Sequence, residues 1–282
     1  MNLLSIQSHV AYGHVGNSAA VFALQRLGVE VWPVHTVAFS NHPGYGAWTG
    51  RAADAAAVRD IVDGIAARGV LGRCDGVISG YLGAADIGAE MLAAVAKVRA
   101  ANPAARYCCD PVIGDAGAGV YVRPDVAELL RKRAVPAADV VTPNQFELDH
   151  LSGQASATVA QALAAIDALH ALGPSVVLVT SLVTADTPSN AADLVVSSQE
   201  GRFRLRTPKL AHAANGAGDA MAALFFAHWL RSGSAAAAVS RAASSVFGIL
   251  QRTAAAGGRE MRLIEAQDEI VAPTRIFEPQ PI

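Results

Sequence analysis

The sequence predicts an α/β fold: a mostly parallel central sheet with helices on both faces, a three-layer α/β/α sandwich in a single domain over residues 1–282. Three observations carry this expectation. Short β-branched runs alternate with longer Ala/Leu-rich stretches of helical period, the pattern of parallel strands joined by crossover helices. Apolar residues make up 52% of the chain and charged residues 16%, which suits a large buried core and not a disordered segment. No internal repeat and no Pro/Ser-rich linker divides the chain.

Taken in order, Leu3–Gln7 is a strand that begins directly after Met1-Asn2, with no charged leader or cleavage site. Helix Asn17–Leu27 and strand Val29–Val37 follow, then helix Asp54–Arg68 and strand Gly76–Ser79. The alternation continues with helix Ala85–Ala101, strand Arg106–Asp110, helix Asp125–Lys132 and strand Asp139–Thr142. Helices Gln145–Leu151 and Thr158–Ala171 precede strand Ser175–Thr180. Leu194–Ser198 and Arg202–Arg206 alternate in polarity around Gln199-Glu200-Gly201, which marks a hairpin. Three helices close the chain near Asp219–Arg231, Ala235–Thr253 and Arg262–Val271, their Ala-rich tracts being strong helix formers.

Net charge is −2 with no basic block, which argues against nucleic acid or an anionic membrane as the main partner. No apolar run reaches membrane-spanning length. Three cysteines, two of them adjacent (Cys108 and Cys109), give neither a disulfide framework nor zinc-ligand spacing, so a cytoplasmic, reducing location is expected.

Asn215-Gly216-Ala217-Gly218-Asp219 runs straight into an apolar helix. Two glycines around a small residue let backbone N–H groups crowd an anion, and the helix adds its unpaired N–H groups and positive dipole end. Asp219 sets a carboxylate beside that cradle, where an alcohol could lose its proton as phosphate arrives. That is the logic of a small-molecule kinase.

In open parallel sheets, ligands sit beyond the carboxyl ends of the strands. Ser8, Tyr81, Asp110, Thr142 and Thr180 all fall at such ends, and together with the glycine turn they outline one crevice. Each also has a plainer reading. Asn144 and Glu147 fit a helix capping box, while Glu147 alternatively holds Mg²⁺ through water, because a hard cation bridging phosphates seeks carboxylate oxygens. Asp110 before Pro111 is a common turn starter, yet its strand-end position beside Asp115 suits metal or phosphate duty. Gly13-His14-Val15-Gly16 lacks the third glycine of a dinucleotide fingerprint. Of the histidines near the first two strands, His42 is the one expected to touch a ligand.

Ser5-Ile6-Gln7-Ser8-His9-Val10, with Tyr12-Gly13-His14-Val15-Gly16-Asn17 and Phe39-Ser40-Asn41-His42, resembles the N-terminal signature of pyridoxal kinases in the ribokinase-like superfamily. Tyr45-Gly46, Trp48-Thr49-Gly50, Ser79-Gly80-Tyr81-Leu82-Gly83, Asp110-Pro111-Val112, Pro143-Asn144 and Gly216-Ala217-Gly218-Asp219 follow in the family's order. The resemblance implies a ribokinase-like fold and ATP-dependent phosphorylation of the 5′-hydroxymethyl group of pyridoxal, with Mg²⁺, in a homodimer. It makes Asp219 the base and the N–H groups of Gly216, Ala217 and Gly218 the anion hole. Ser8, His42, Pro43, Gly44 and Tyr81 would then line the pyridoxal pocket. Asp110, Thr142, Glu147 and Thr180 would border nucleotide and metal, with Thr207-Pro208-Lys209-Leu210 as a nucleotide-side loop.

Three positions depart from the family pattern: Pro43 where Thr is frequent, Thr180 where some relatives carry Lys, and Ala213-Ala214-Asn215 where related sugar kinases have Asp-Thr-Thr. Two rival readings remain, a kinase for another hydroxymethyl compound such as a pyrimidine, and a vitamer-binding protein without turnover.

Overall fold

Leu3, Ile78, Cys108 and Val140 pack on one face of a sheet, and Leu4, Val77, Cys109 and Val141 on the other; all eight are buried. Two-sided burial of neighbouring strands requires a layer of helices on each face. The structure, a computed structural model, describes residues 1–210 and 214–282.

Its strands in chain order are β1 (Asn2–Val10), β2 (Glu30–Phe39), β3 (Gly50–Ala52), β4 (Gly76–Ser79), β5 (Arg106–Cys109), β6 (Gly114–Asp115), β7 (Gly119–Val120), β8 (Val140–Val141), β9 (Val176–Leu182), β10 (Ala191–Ser198), β11 (Gly201–Pro208) and β12 (Gln280–Pro281). The main sheet is ordered β12-β11-β10-β9-β8-β5-β4-β1-β2-β3. From β9 to β2 every pairing is parallel, and the strands outside that span are antiparallel. β6 and β7 form a separate small hairpin.

The helices are α1 (Asn17–Arg26), α2 (Ala55–Ala66), α3 (Ala85–Ala101), α4 (Pro124–Leu129), α5 (Val135–Ala137), α6 (Gln145–Ser152), α7 (Val159–Leu172), α8 (Ala217–Ser232), α9 (Ala235–Ala256) and α10 (Asp268–Val271). Val62 of α2, Met91 of α3, Val126 of α4, Leu148 of α6 and Ile166 of α7 share one core. Leu24 of α1, Phe225 of α8, Val239 of α9 and Ile270 of α10 share the other. The expected three-layer architecture is therefore present, as are the six parallel strands and the hairpin.

Several boundaries differ from expectation. The β10–β11 turn is tighter, because Ser198 pairs directly with Gly201. Helix α4 continues through a π-type turn at Leu130–Ala134 into α5, past the expected end at Lys132. Only Asp268–Val271 of the expected Arg262–Val271 helix is helical. Leu263, Ala266 and Ile270 are buried at helical spacing, but the Arg262 N–H is held by Thr253 Oγ1 at 2.9 Å and the segment proceeds mainly by tight turns. β3, β6, β7 and β12 are two or three residues long, too short for any periodicity to reveal.

One irregularity matters for function. Gln7 pairs with His35 but His9 pairs with Ala38, so Thr36 and Val37 together face Ser8. Such a bulge redirects side chains locally, and it lies where β1 approaches its carboxyl end.

Helix α8 is buried continuously from Ala220 to Ala227, and Gly76 leaves room for the Phe226 ring, which a Cβ there would meet at 2.8 Å. Phe226→Ala is expected to cost about 3–5 kcal/mol, read as a lower denaturation midpoint in urea with an unchanged slope.

Candidate active site

Gly216 caps α8 at φ 86, a left-handed conformation in which its missing side chain leaves space for the His14 carbonyl. A Cβ at Gly216 would lie 1.7 Å from that oxygen. Ala217, Gly218 and Asp219 form the first helical turn, whose N–H groups have no partner within the helix. The residue type at each point follows from this geometry: glycine where the chain from residue 14 passes, small residues where an anion would rest, and a carboxylate one step inside.

These residues floor a cavity of about 750 Å³. Ser8, His42, Pro43, Gly44 and Tyr81 line it toward β1 and β2. Asp110, Thr142, Glu147 and Thr180 line it toward β5, β8 and β9, and Gly216, Ala217, Gly218 and Asp219 close it between them. Behind Ser8, Ser5 Oγ donates to Asn17 Oδ1 at 2.7 Å, and Gln7 Nε2 donates to Ser5 Oγ at 2.9 Å. That buried network fixes the strand which carries Ser8. Gly16 sits so close that a Cβ would be 2.3 Å from Ser8 Oγ.

His42 caps a short 3₁₀ turn (Pro43–Tyr45) by accepting the Gly44 N–H on Nδ1 at 3.1 Å. Burial lowers its pKa, and the Glu260 carboxylate partly opposes that shift. Pro43 occupies the first position of this turn, where a fixed φ is favourable and no N–H is missed. Thr180 lies next to Ser181, a non-glycine residue at φ 52, and its N–H donates to the Pro143 carbonyl at 2.9 Å. The adjacent register shift between β9 and β10 accounts for the unusual backbone.

The electrostatics are one-sided. Asp110, Asp115, Glu147 and Asp219 all line the cavity, and no Lys or Arg does so among the described residues. Burial first, then the charges of Glu147 and Asp219, push the Asp110 carboxyl well above the usual range, against the pull of the Thr142 hydroxyl that donates to it at 3.0 Å. Burial raises Asp219 to about 6, with backbone N–H groups of Gly16 and Asp219 working in the opposite direction. Glu147 is raised to about 7, again chiefly by burial. Its carboxylate accepts the N–H groups of Ile113 at 2.9 Å, Gly114 at 3.4 Å and Asn144 at 2.9 Å, while Asn144 Oδ1 accepts the Glu147 N–H at 2.9 Å. The capping box is thus formed, and the same side chain faces the cavity.

Thr207-Pro208-Lys209-Leu210 is not among the lining residues. Thr207 and Pro208 end β11, and the Lys209 N–H donates to Asn190 O at 2.7 Å. Ala214 and Asn215 line the cavity, whereas Ala213 lies outside the described residues. Sequence reasoning overlooked Tyr121 and Trp48, which also face the cavity. Gly117 in the β6–β7 turn and Gly119 at the start of β7 were the available hint for Tyr121. It overlooked Glu260 as well, for which no local signal exists.

Asp110→Asn is expected to stabilise the unliganded protein. A carboxyl with a raised folded-state pKa contributes stability that is fully present below its unfolded value and is lost progressively as pH rises through the folded value. The gain in unfolding free energy should exceed ~1 kcal/mol and be wider near pH 8 than near pH 5. Thermal melts without nucleotide or divalent ions check this; a gap independent of pH would contradict it.

The family model for phosphomethylpyrimidine kinase matches residues 74–263. A pyridoxal kinase PdxY of Granulibacter bethesdensis is 54% identical over 99% of this chain and 99% of its own length. A pyridoxal kinase PdxY of Deinococcus radiodurans is 52% identical over 98% of this chain and 95% of its own. Among solved structures, a pyridoxal kinase from Leishmania donovani in complex with ADP and pyridoxamine superposes with a TM-score of 0.93 at 32% identity, covering 100% of this chain and 99% of that one. The full-length similarity takes in the Ser8 and His42 blocks, which the family-model match leaves out. The chain belongs to the pyridoxal kinase family of the ribokinase-like superfamily.

Proposed function

We propose that this chain transfers the γ-phosphoryl group of ATP to the 5′-hydroxymethyl group of pyridoxal, giving pyridoxal 5′-phosphate and ADP, as in vitamin B6 salvage. The observation that carries the reading is Asp219 inside the first turn of α8, raised to about 6, at the floor of a cavity shared by Ser8, His42 and Tyr81. Ser8, His42, Pro43, Gly44 and Tyr81 hold the pyridoxal ring, Pro43 through its ring or carbonyl. The hydroxyl oxygen attacks the γ-phosphorus, the bond to the β-phosphate oxygen breaks, and the hydroxyl proton passes to Asp219. N–H groups of Gly216, Ala217 and Gly218 receive the equatorial oxygens, where developing charge is met by fixed donors.

The lining carboxylates fit a cation. Asp110 and Glu147 are buried without a basic partner in the cavity and have raised pKa values, the signature of groups that a positive charge would relieve. No group of three His, Cys, Asp or Glu side chains is arranged to hold an ion by itself among the described residues, which suits an ion that arrives with the nucleotide phosphates. Asp110 and Glu147 would face Mg²⁺, Glu147 through water, and the ion would neutralise charge on the transferring phosphoryl group. Thr142 and Thr180 border the nucleotide, with Thr207-Pro208-Lys209-Leu210 beyond the cavity rim. A homodimer in the cytoplasm completes the reading; the three buried free cysteines, Cys74, Cys108 and Cys109, suit a reducing compartment. No helix among the described residues is long and apolar enough to cross a membrane.

The phosphomethylpyrimidine kinase match keeps a hydroxymethylpyrimidine as the second candidate acceptor. ATP consumption measured with pyridoxal, pyridoxine, pyridoxamine and a hydroxymethylpyrimidine separates the two. Pyridoxal is expected to give the highest kcat/KM; preference for the pyrimidine, or binding of pyridoxal without turnover, refutes the proposal.

Asp219→Asn is expected to lower kcat by ~10²–10⁴ while leaving the affinity for pyridoxal nearly intact. Because the base acts only when ionised, kcat/KM of the native chain should fall as pH drops through about 6. Near-normal turnover of the variant removes Asp219 from this role.

A further inference from the structure

Glu260 lies half-buried in the segment after α9, far in sequence from the residues that line the cavity, yet its side chain joins the two loops that follow β1 and β2. One carboxylate oxygen, Oε1, accepts the Tyr45 hydroxyl at 2.9 Å. The other, Oε2, accepts the His14 N–H at 3.0 Å. Gly13 at φ 99 leaves room for that carboxylate, and a Cβ there would be 2.2 Å from Oε2. The backbone of the same segment pairs with the residue just before the glycine turn: Asn215 and Glu260 form an isolated parallel bridge, and the Asn215 N–H donates to Arg259 O at 3.2 Å. Tyr45 ends the 3₁₀ turn that presents His42, Pro43 and Gly44 to the cavity. Its ring is partly exposed, so packing alone holds it weakly, and among the described residues the hydroxyl's hydrogen bond is to Glu260.

We infer that Glu260 is a positioning residue: its carboxylate latches the His42–Tyr45 turn to the Gly13-His14 segment, and the backbone of its own segment bridges to Asn215 at the start of the glycine turn, so that the acceptor side of the cavity is held in register with the phosphoryl side. The inference rests on the proposed function. Binding of pyridoxal then requires the latch, while binding of ATP at the Asp110 and Glu147 side does not.

Steady-state kinetics with both substrates varied test this in Tyr45→Phe, Glu260→Ala and the double variant. Tyr45→Phe removes one hydroxyl from a partly exposed ring and leaves the fold intact. KM for pyridoxal should rise ~10-fold, the scale of one hydrogen bond to a charged group, with KM for ATP changed less than about twofold. The double variant should be no worse than Glu260→Ala alone, since both changes break one contact. An unchanged KM for pyridoxal in Tyr45→Phe, equal rises for both substrates, or full additivity in the double variant overturns the latch. Glu260→Ala also gives up the His14 contact and could fold poorly, and Tyr45→Phe decides the matter without it. A native chain inactive on pyridoxal defeats the proposed function; an active one with an unaffected Tyr45→Phe defeats only the latch.

Discussion

The contact between Gly216 and the His14 carbonyl sets the geometry on which the site depends. No side chain larger than hydrogen fits at residue 216, because the first loop of the chain crosses there. That crossing aims the open end of α8 at the space beyond β1, and it brings Ser8 and Asp219 to the same cavity. Around it, other close approaches repeat the principle: Gly16 against Ser8 and Gly13 against Glu260. At Gly216 and Gly16 backbone meets backbone, and at Gly13 backbone meets the Glu260 carboxylate, so the loops cannot slide past one another without large steric cost.

The second constraint is charge. A cavity walled by four carboxylates and, among the described residues, no Lys or Arg would repel a bare polyphosphate. It suits an anion that carries its own cation, and the helix N-terminus supplies the remaining positive potential through backbone dipoles instead of side chains. The fold therefore divides its labour. In the proposed reaction, fixed dipoles would receive the transferred group, and carboxylates the counter-ion and the proton.

Much of this was legible in the sequence because the signals are local. A strand followed by a polar residue, or a glycine pair opening a helix, announces its chemistry within five or six positions. Ser8, Asp110, Thr142 and Asp219 stand out on those grounds, and all four line one cavity. Asn144 and Glu147 stand out too, and their reciprocal bonds form the capping box while Glu147 also faces the cavity. What the sequence concealed depends on distant pairing. The bulge opposite Ser8 arises from the register of two strands, not from any residue in them. Glu260 follows Gly257-Gly258-Arg259 and reads as an ordinary surface carboxylate until the fold carries it to Tyr45. Thr207-Pro208-Lys209-Leu210 runs on from the end of strand β11 and is not among the residues that line the cavity.

The Glu260 bonds have a bearing on how the chain comes to be folded. His14 and Glu260 are separated by 246 positions, and Tyr45 and Glu260 by 215. Contacts of such long range form late, after shorter loops have closed. During synthesis the amino-terminal strands emerge and can pair long before the segment that ties their loops together leaves the ribosome. The nascent sheet therefore waits with the loops after β1 and β2 unfastened until nearly the entire chain has been made.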